Sequence, residues 1–432
     1  MRFNILDFGA HEDCPDNSPY IQKAIDKAGE SGGTVVIPKG TFVSGTLVLK
    51  SHVTLYLEEG AILKAGDDLK MFDLHRNDAH KDIARPSYEN CDYDGKPTLF
   101  FVYGEHLEDV AIKGEGSIDG NEKIFYGKED RYFIDGAFYP RMPLVYLEDV
   151  DGLDIVGVTF RNSAFWTLHM VGCRNVKIDE LKIRNNLRLA NCDGIDPDHC
   201  QNVEISDCDI ICADDAIVFK NTKANQRYGD CKNIAVKNCR LKSTSAAIKF
   251  GTESFGDFHD IHLENIDIYD TNRGISFQLR DTGSIYDCNF KNISINTRVF
   301  AKPYYWGYGD PIAITALNRT DEIPTGEIHH IRFENIACDS EVGFLIYGEK
   351  RESIHDISFN NISLKISEKS KWPKDKKDLR PYDKSPFVEA GVGPLYVRNA
   401  SRINFGLFSY AGSKREIDVE NAEVVGEMIK GE

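Results

Sequence analysis

The chain has 432 residues, 41% of them hydrophobic, and its 52 basic and 69 acidic side chains give a net charge of −17. Apolar content of this order excludes the disordered and fibrous classes, and no apolar run reaches the roughly 18 residues of a membrane span. The acidic excess argues against nucleic acid or an anionic membrane as a partner, and 35 glycines against 5 methionines tilt the expectation toward turn-rich β structure.

The first eight residues, Met-Arg-Phe-Asn-Ile-Leu-Asp-Phe, contain no secretory apolar core and run straight into a strand-like segment. The expected location is therefore cytoplasmic, or outside the cell if a leader was removed. Residues 18–28 are predicted to form a capping helix, because Ile21, Ala24, Ile25 and Ala28 share one helical face, with Asn17 or Ser18 as N-cap. Between Gly33 and Lys64 the chain alternates strongly, as in Val53-Thr54-Leu55-Tyr56-Leu57, and this stretch reads as the first coils.

A short theme then recurs: Asn or Asp, an apolar residue, a variable residue and another apolar residue. It appears as Asp109-Val110-Ala111-Ile112, Asn175-Val176-Lys177-Ile178, Asn202-Val203-Glu204-Ile205 and Asn233-Ile234-Ala235-Val236. Further copies are Asp260-Ile261-His262-Leu263, Asp287-Cys288-Asn289-Phe290, His330-Ile331-Arg332-Phe333 and Asp356-Ile357-Ser358-Phe359. From Val176 the steps are 27, 31, 27, 27, 43 and 26 residues. Short period-2 strands at this spacing mark a solenoid whose coils bury their inward faces only by stacking. The units lack helical periodicity, so the expected fold is all-β: a single right-handed parallel β-helix with a short N-terminal capping helix. One domain is expected over 1–432, with cap and first coils in 1–64, central coils in 107–365, and a charged loop plus final strands in 366–432.

Three insertions (65–106, 121–141 and 300–325) interrupt the repeat, the last carrying Tyr304-Tyr305-Trp306-Gly307-Tyr308. Such insertions map to loops on one face of a solenoid. Residues 366–384, with Lys371-Trp372-Pro373-Lys374-Asp375-Lys376-Lys377-Asp378, read as a solvated loop. The 11 cysteines include no C-x-x-C pair and most sit beside strands, so they are expected to be small buried hydrophobes. The Asn-x-Ser/Thr sequons at Asn292, Asn318, Asn361 and Asn399 are by-products of the Asn-rich repeat.

Acid concentrates between 185 and 220, in Asn191-Cys192-Asp193-Gly194-Ile195-Asp196-Pro197-Asp198 and then Asp214-Asp215. Asp193 and Asp214 are 21 residues apart, about one coil, and stacked coils are ~4.8 Å apart. Adjacent carboxylates raise one another's pKa, which divides a set into an acid and a base. Glycoside hydrolysis by inversion uses such a set, spaced ~6.5–9.5 Å to admit a water.

These residues resemble glycoside hydrolase family 28, the polygalacturonases and rhamnogalacturonan-cleaving relatives. The likeness runs from Phe3-Asn4-Ile5-Leu6-Asp7-Phe8-Gly9-Ala10 through Gly40-Thr41-Phe42 to the repeats past 360, and is most specific in Asn191-Cys192-Asp193 and Asp214-Asp215. The resemblance implies inversion without metal or organic cofactor, with Asp214 as general acid and Asp193 and Asp215 activating the water. Two family motifs depart. Ala246 stands where a Gly-His-Gly histidine is expected, and Ser276-Phe277-Gln278 aligns with an Arg-Ile-Lys motif that binds a galacturonate carboxylate. Candidate substrate-binding residues are Asn191, Lys249, Glu253, Arg273, Arg280 and Trp306, the three cations as carboxylate partners.

Trp166 and His169 read as core, and His199 and His329-His330 lack zinc spacing. The expected partner is a pectic oligosaccharide, galacturonate- or rhamnogalacturonan-containing, cut from chain ends. Two alternatives are a calcium-using polysaccharide lyase and a non-catalytic carbohydrate-binding β-helix. A capped solenoid of this kind is compatible with either a monomer or lateral pairs.

Overall fold

In the computed structural model, residues 1–73, 97, 99–138, 140–302 and 304–431 are described, so most of the 65–106 insertion lies outside them. The chain forms two compact units, Met1–Ala213 and Asp214–Glu432.

The first unit opens with the strand Arg2–Asn4, laid parallel on Gly33–Ile37. Between them runs the helix Ser18–Gly29, whose Ile21, Ala24, Ile25 and Ala28 are buried. Pro19 falls in its first turn, where a missing N–H costs nothing. Asn17 is the N-cap residue, yet its side chain caps no helix amide. It accepts from the His11 amide and donates to the carbonyls of Cys14 and Val43, tying the helix to the first coil. Gln22 reinforces that tie by bonding both the amide and the carbonyl of Val48, each at 2.9 Å.

Coils then stack in register. Val110, Leu153, Val176 and Val203 form one buried column, and Ile112, Ile155, Ile178 and Ile205 the next. The leading Asn or Asp of the theme has a physical role here. Asp109, Asn175 and Asn202 have φ of 51°, 56° and 58°, the left-handed region that Asn and Asp tolerate best after glycine. The same side chains also bond along the stack, Asn202 to Asn175 at 3.1 Å and Asn175 to Asp151 at 2.7 Å.

The second unit repeats this arrangement over the strands Cys231–Lys237, Phe258–Thr271, Ile285–Thr297, Ile328–Ser340, Ile354–Ile366 and Leu395–Ala411. Ile234, Ile261, Cys288, Ile331, Ile357 and Ile403 stand in one column. In the next column, two residues on, Phe333 stacks on Phe359 at 4.7 Å and Phe359 on Phe405 at 4.6 Å. A buried Phe contributes about 1.5–3 kcal/mol, so the column is a main source of the unit's stability. At an outer corner Asn238, Asn265, Asn292, Asn335 and Asn361 form a ladder of side-chain amide bonds between 2.8 and 3.2 Å. Two of the sequons are thus rungs of this ladder. The ten described cysteines are free thiols, and all except Cys14 are buried.

The reading of 366–384 as solvated is corrected for its second half. The strands Lys376–Asp378 and Phe387–Glu389 pair antiparallel, and Lys377, Asp378 and Leu379 are buried. Charge alone suggested a solvated loop, but each of these charges has a fixed partner. Lys377 Nζ donates to Asp310 Oδ1 at 3.1 Å, and Asp378 Oδ2 accepts from the Gly307 amide at 2.8 Å. The segment is therefore docked on the aromatic insertion.

Candidate active site

In the first unit the Asn191-Cys192-Asp193 turn precedes the strand Ile195–Asp198, which lies parallel on Leu168–Val171. The Asp193 carbonyl accepts from the Thr167 amide at 3.0 Å, and its side chain is almost fully enclosed. Asn191, half-buried, takes φ of 56°, a conformation an Asn can hold and a branched residue would resist.

What braces this turn is the 121–141 insertion. Ile134 packs against Leu189 and Cys192, with Tyr126 alongside. The Ile134 amide donates to the Arg188 carbonyl at 2.7 Å, and its own carbonyl accepts from the Ala190 amide at 3.1 Å. Arg141, wholly buried, donates from Nε to the Ala164 carbonyl at 2.6 Å and from Nη2 to the Ala190 carbonyl. Nothing in the sequence marks Arg141, because a cation bonded to main-chain carbonyls leaves no side-chain motif. Trp166 and His169 are buried and meet edge-on at 4.7 Å, as core residues do.

In the second unit Asp214 and Asp215 sit in the turn before the strand Ile217–Asn221. The Asp215 amide donates to Asp214 Oδ1 at 3.1 Å, and the Asp214 carbonyl accepts from Ser243 Oγ at 2.5 Å. Their surroundings differ. Asp214 is half-buried, whereas Asp215 is 1% exposed. Asp215 accepts from Ser245 Oγ at 2.9 Å, from the Ala246 amide at 3.2 Å and from Lys249 Nζ at 2.7 Å. Arg273 Nη2 lies 3.9 Å from it. Burial works to raise the Asp215 pKa, but the charges of Lys249, Arg273 and Lys220 outweigh it and hold the carboxyl below the usual range.

Register explains this grouping. Val218 and Ser276 flank Lys249 on neighbouring coils, and Arg273 lies beside Ala246. Ser245 escaped sequence reading, although its distance from Asp215, 30 residues, is one coil.

The remaining candidates lie elsewhere in this unit. Glu253 accepts from the Lys223 amide at 3.2 Å, at the turn after the strand Ile217–Asn221. Trp306 is half-buried beneath the Arg380 guanidinium, and its carbonyl accepts from Asn272 Nδ2 at 2.6 Å, next to Arg273. Arg280 is wholly enclosed, and its guanidinium donates to the main-chain carbonyls of Leu279, Thr315, Leu379 and Pro381 and to Thr315 Oγ1.

Residues 33–372 match the model of "Glycosyl hydrolases family 28". The chain belongs to this family. Among curated proteins, this family 28 chain is 30% identical over 261 residues to a "Probable polygalacturonase" of Vitis vinifera, covering 58% of this chain and 51% of that one. It is 27% identical over 254 residues to the "Exo-poly-alpha-D-galacturonosidase" of Dickeya chrysanthemi, covering 50% and 41% respectively. The chain thus spans about half the length of these curated relatives. The solved family 28 exopolygalacturonase of Yersinia enterocolitica superposes with a TM-score of 0.73 at 20% identity, over 99% of this chain and 78% of that one. That likeness is one of fold, the right-handed parallel β-helix.

Proposed function

We propose that this family 28 chain is an inverting glycoside hydrolase of galacturonate-containing pectic oligosaccharides. Asp214 protonates the leaving oxygen, and Asp193 with Asp215 activates the attacking water. The observation that carries the reading is the unlike environment of two adjacent carboxyls. Asp215 is enclosed and held ionised by Lys249 and Arg273, while Asp214 next to it is partly open. Environments that push two carboxyls apart assign one as base and the other as acid.

The substrate is proposed from family membership and from the exo-acting relative named above. Cleavage from chain ends is part of the proposal, and the 27% identity to that relative supports it. A chain of net charge −17 has little long-range attraction for an anionic sugar, so cationic groups near the site must do the binding locally.

The test is product analysis on galacturonate oligomers and on rhamnogalacturonan oligomers. Early release of mono- or disaccharide from one linkage supports the proposal, and wild-type protein without hydrolysis on either overturns it. Asp214→Asn should lose roughly 10²–10⁴-fold in kcat, the usual worth of a general acid.

A further inference from the structure

The three hydrogen bonds to Asp215 are unevenly divided between its oxygens. Among the described residues, Oδ1 accepts from Ser245 Oγ and from the Ala246 amide, whereas Oδ2 accepts from Lys249 Nζ alone. Each carboxylate oxygen has two in-plane lone pairs. Oδ1 is therefore filled, and Oδ2 keeps one acceptor site.

The donors are themselves fixed. Ser245 Oγ accepts from Arg273 Nη2 at 3.1 Å, so its own proton is directed at Asp215. Arg273 Nη1 in turn donates to Ser276 Oγ at 3.3 Å, on the same strand. Lys249 belongs to the fully buried strand Ala246–Ser254, and its side chain is 11% exposed. An ammonium this enclosed and this close to a carboxylate has little freedom to leave it for a ligand.

Resting on the hydrolase reading above, we infer that Lys249 is a positioning residue: it orients Asp215 so that the open lone pair of Oδ2 takes the proton of the attacking water. In that step the water oxygen bonds to the anomeric carbon while one of its protons passes to Oδ2. The glycosidic C–O bond breaks, and its oxygen takes the proton of Asp214. Asp215 ends neutral and Asp214 ionised, and one proton exchange through solvent restores both.

The cations that lower the Asp215 pKa are Lys249 from its own strand, Arg273 from the strand Arg273–Leu279, and Lys220 from the strand that Asp215 precedes. Asp214 adjoins it in sequence. With Lys249 neutral, two of the three cations remain and burial gains ground. The base should then be ionised only at higher pH.

The experiment compares the pH dependence of kcat/KM for wild type, Lys249→Met and Lys249→Arg. Lys249→Met should move the acid limb up by about one unit or more, and Lys249→Arg should leave it near the wild-type position. A rise in KM with an unmoved acid limb in Lys249→Met would make Lys249 a substrate contact and overturn the inference. The second readout needs no activity: wild-type protein labelled with ¹³C at Asp carboxyls, with the Asp215 signal assigned through Asp215→Asn. Titration of that signal at or above the ordinary carboxylate range overturns the inference, even if Lys249→Met fails to fold. If Asp215 titrates low but wild type hydrolyses nothing, the hydrolase reading fails instead, and the two failures are thereby separated.

Discussion

Arg280 Nη2 donates to the Leu379 carbonyl at 2.9 Å, joining the coil wall to a segment 99 residues later in the chain. Nε adds a bond to the Pro381 carbonyl at 2.8 Å, and Nη1 reaches the Leu279 carbonyl and Thr315 Oγ1 at 2.9 and 3.0 Å. Arg280 therefore works as a clamp for the 376–381 segment. Replacing it with Met leaves several buried carbonyls unsatisfied, each worth ~1–3 kcal/mol. Arg280→Met is expected to lose about 3 kcal/mol of stability and to open 376–391 to protease. Equal melting temperatures and digestion patterns for variant and wild type would contradict the clamp.

Acid should release the same loop. Burial would raise the Glu341 pKa, but amides of Val299, Lys369 and Ser370 and the Ser370 hydroxyl hold it low. Asp378 is likewise pushed up by burial and brought down further by Arg380, Lys302 and the Gly307 amide. Groups depressed in the folded state stabilise it above their unfolded pKa, near 4, and lose that contribution as pH falls through the folded one. Hydrogen exchange, corrected for intrinsic rates, should show 366–391 losing protection below about pH 4 before the Phe333 and Phe359 strands do. Glu341→Gln should show this loosening already at pH 7. Uniform loss across the second unit would count against it.

The asparagine ladder makes a third case. Asn292 has φ of 53°, donates to Asn265 and accepts from Asn335. Asn292→Ala forfeits both bonds and meets the left-handed penalty of ~1–2 kcal/mol. Asn292→Gly forfeits the bonds alone. Denaturant unfolding should rank the two with Ala at about 2–3 kcal/mol lost and Gly clearly less. Equal losses in the two variants would show that the bonds and not the backbone dominate this corner.

The solenoid was legible because its chemistry is local. Period-2 alternation sets each rung, and an Asn or Asp marks each left-handed corner, so Asn175, Asn202 and Asn233 announce coils on their own. Asp214 and Asp215 were legible because two adjacent acids need a reason. Arg141 and Ser245 were not, since each acts through stacking across coils, where partners lie about 23 to 49 residues apart. The 376–381 segment was misread for a related reason. Its charges look solvated until Asp310 and Gly307 arrive from a distant insertion to meet them, while Arg280 takes up the Leu379 carbonyl. Composition reports which charges exist, whereas burial depends on who meets them.

Lys249 shows both sides of this. As a basic residue near the acids it reads, from sequence alone, as a cation for substrate. Its pairing with Asp215 depends on a register that only the stacked strands reveal.

The most direct measurement is the anomeric configuration of the first product, followed by proton NMR during hydrolysis of a galacturonate oligomer. Water activated by Asp193 and Asp215, with Asp214 as the acid, predicts that the new reducing end appears first in the inverted configuration and only later equilibrates. Initial retention of configuration, or an unsaturated product in place of a hydrated one, would contradict the account.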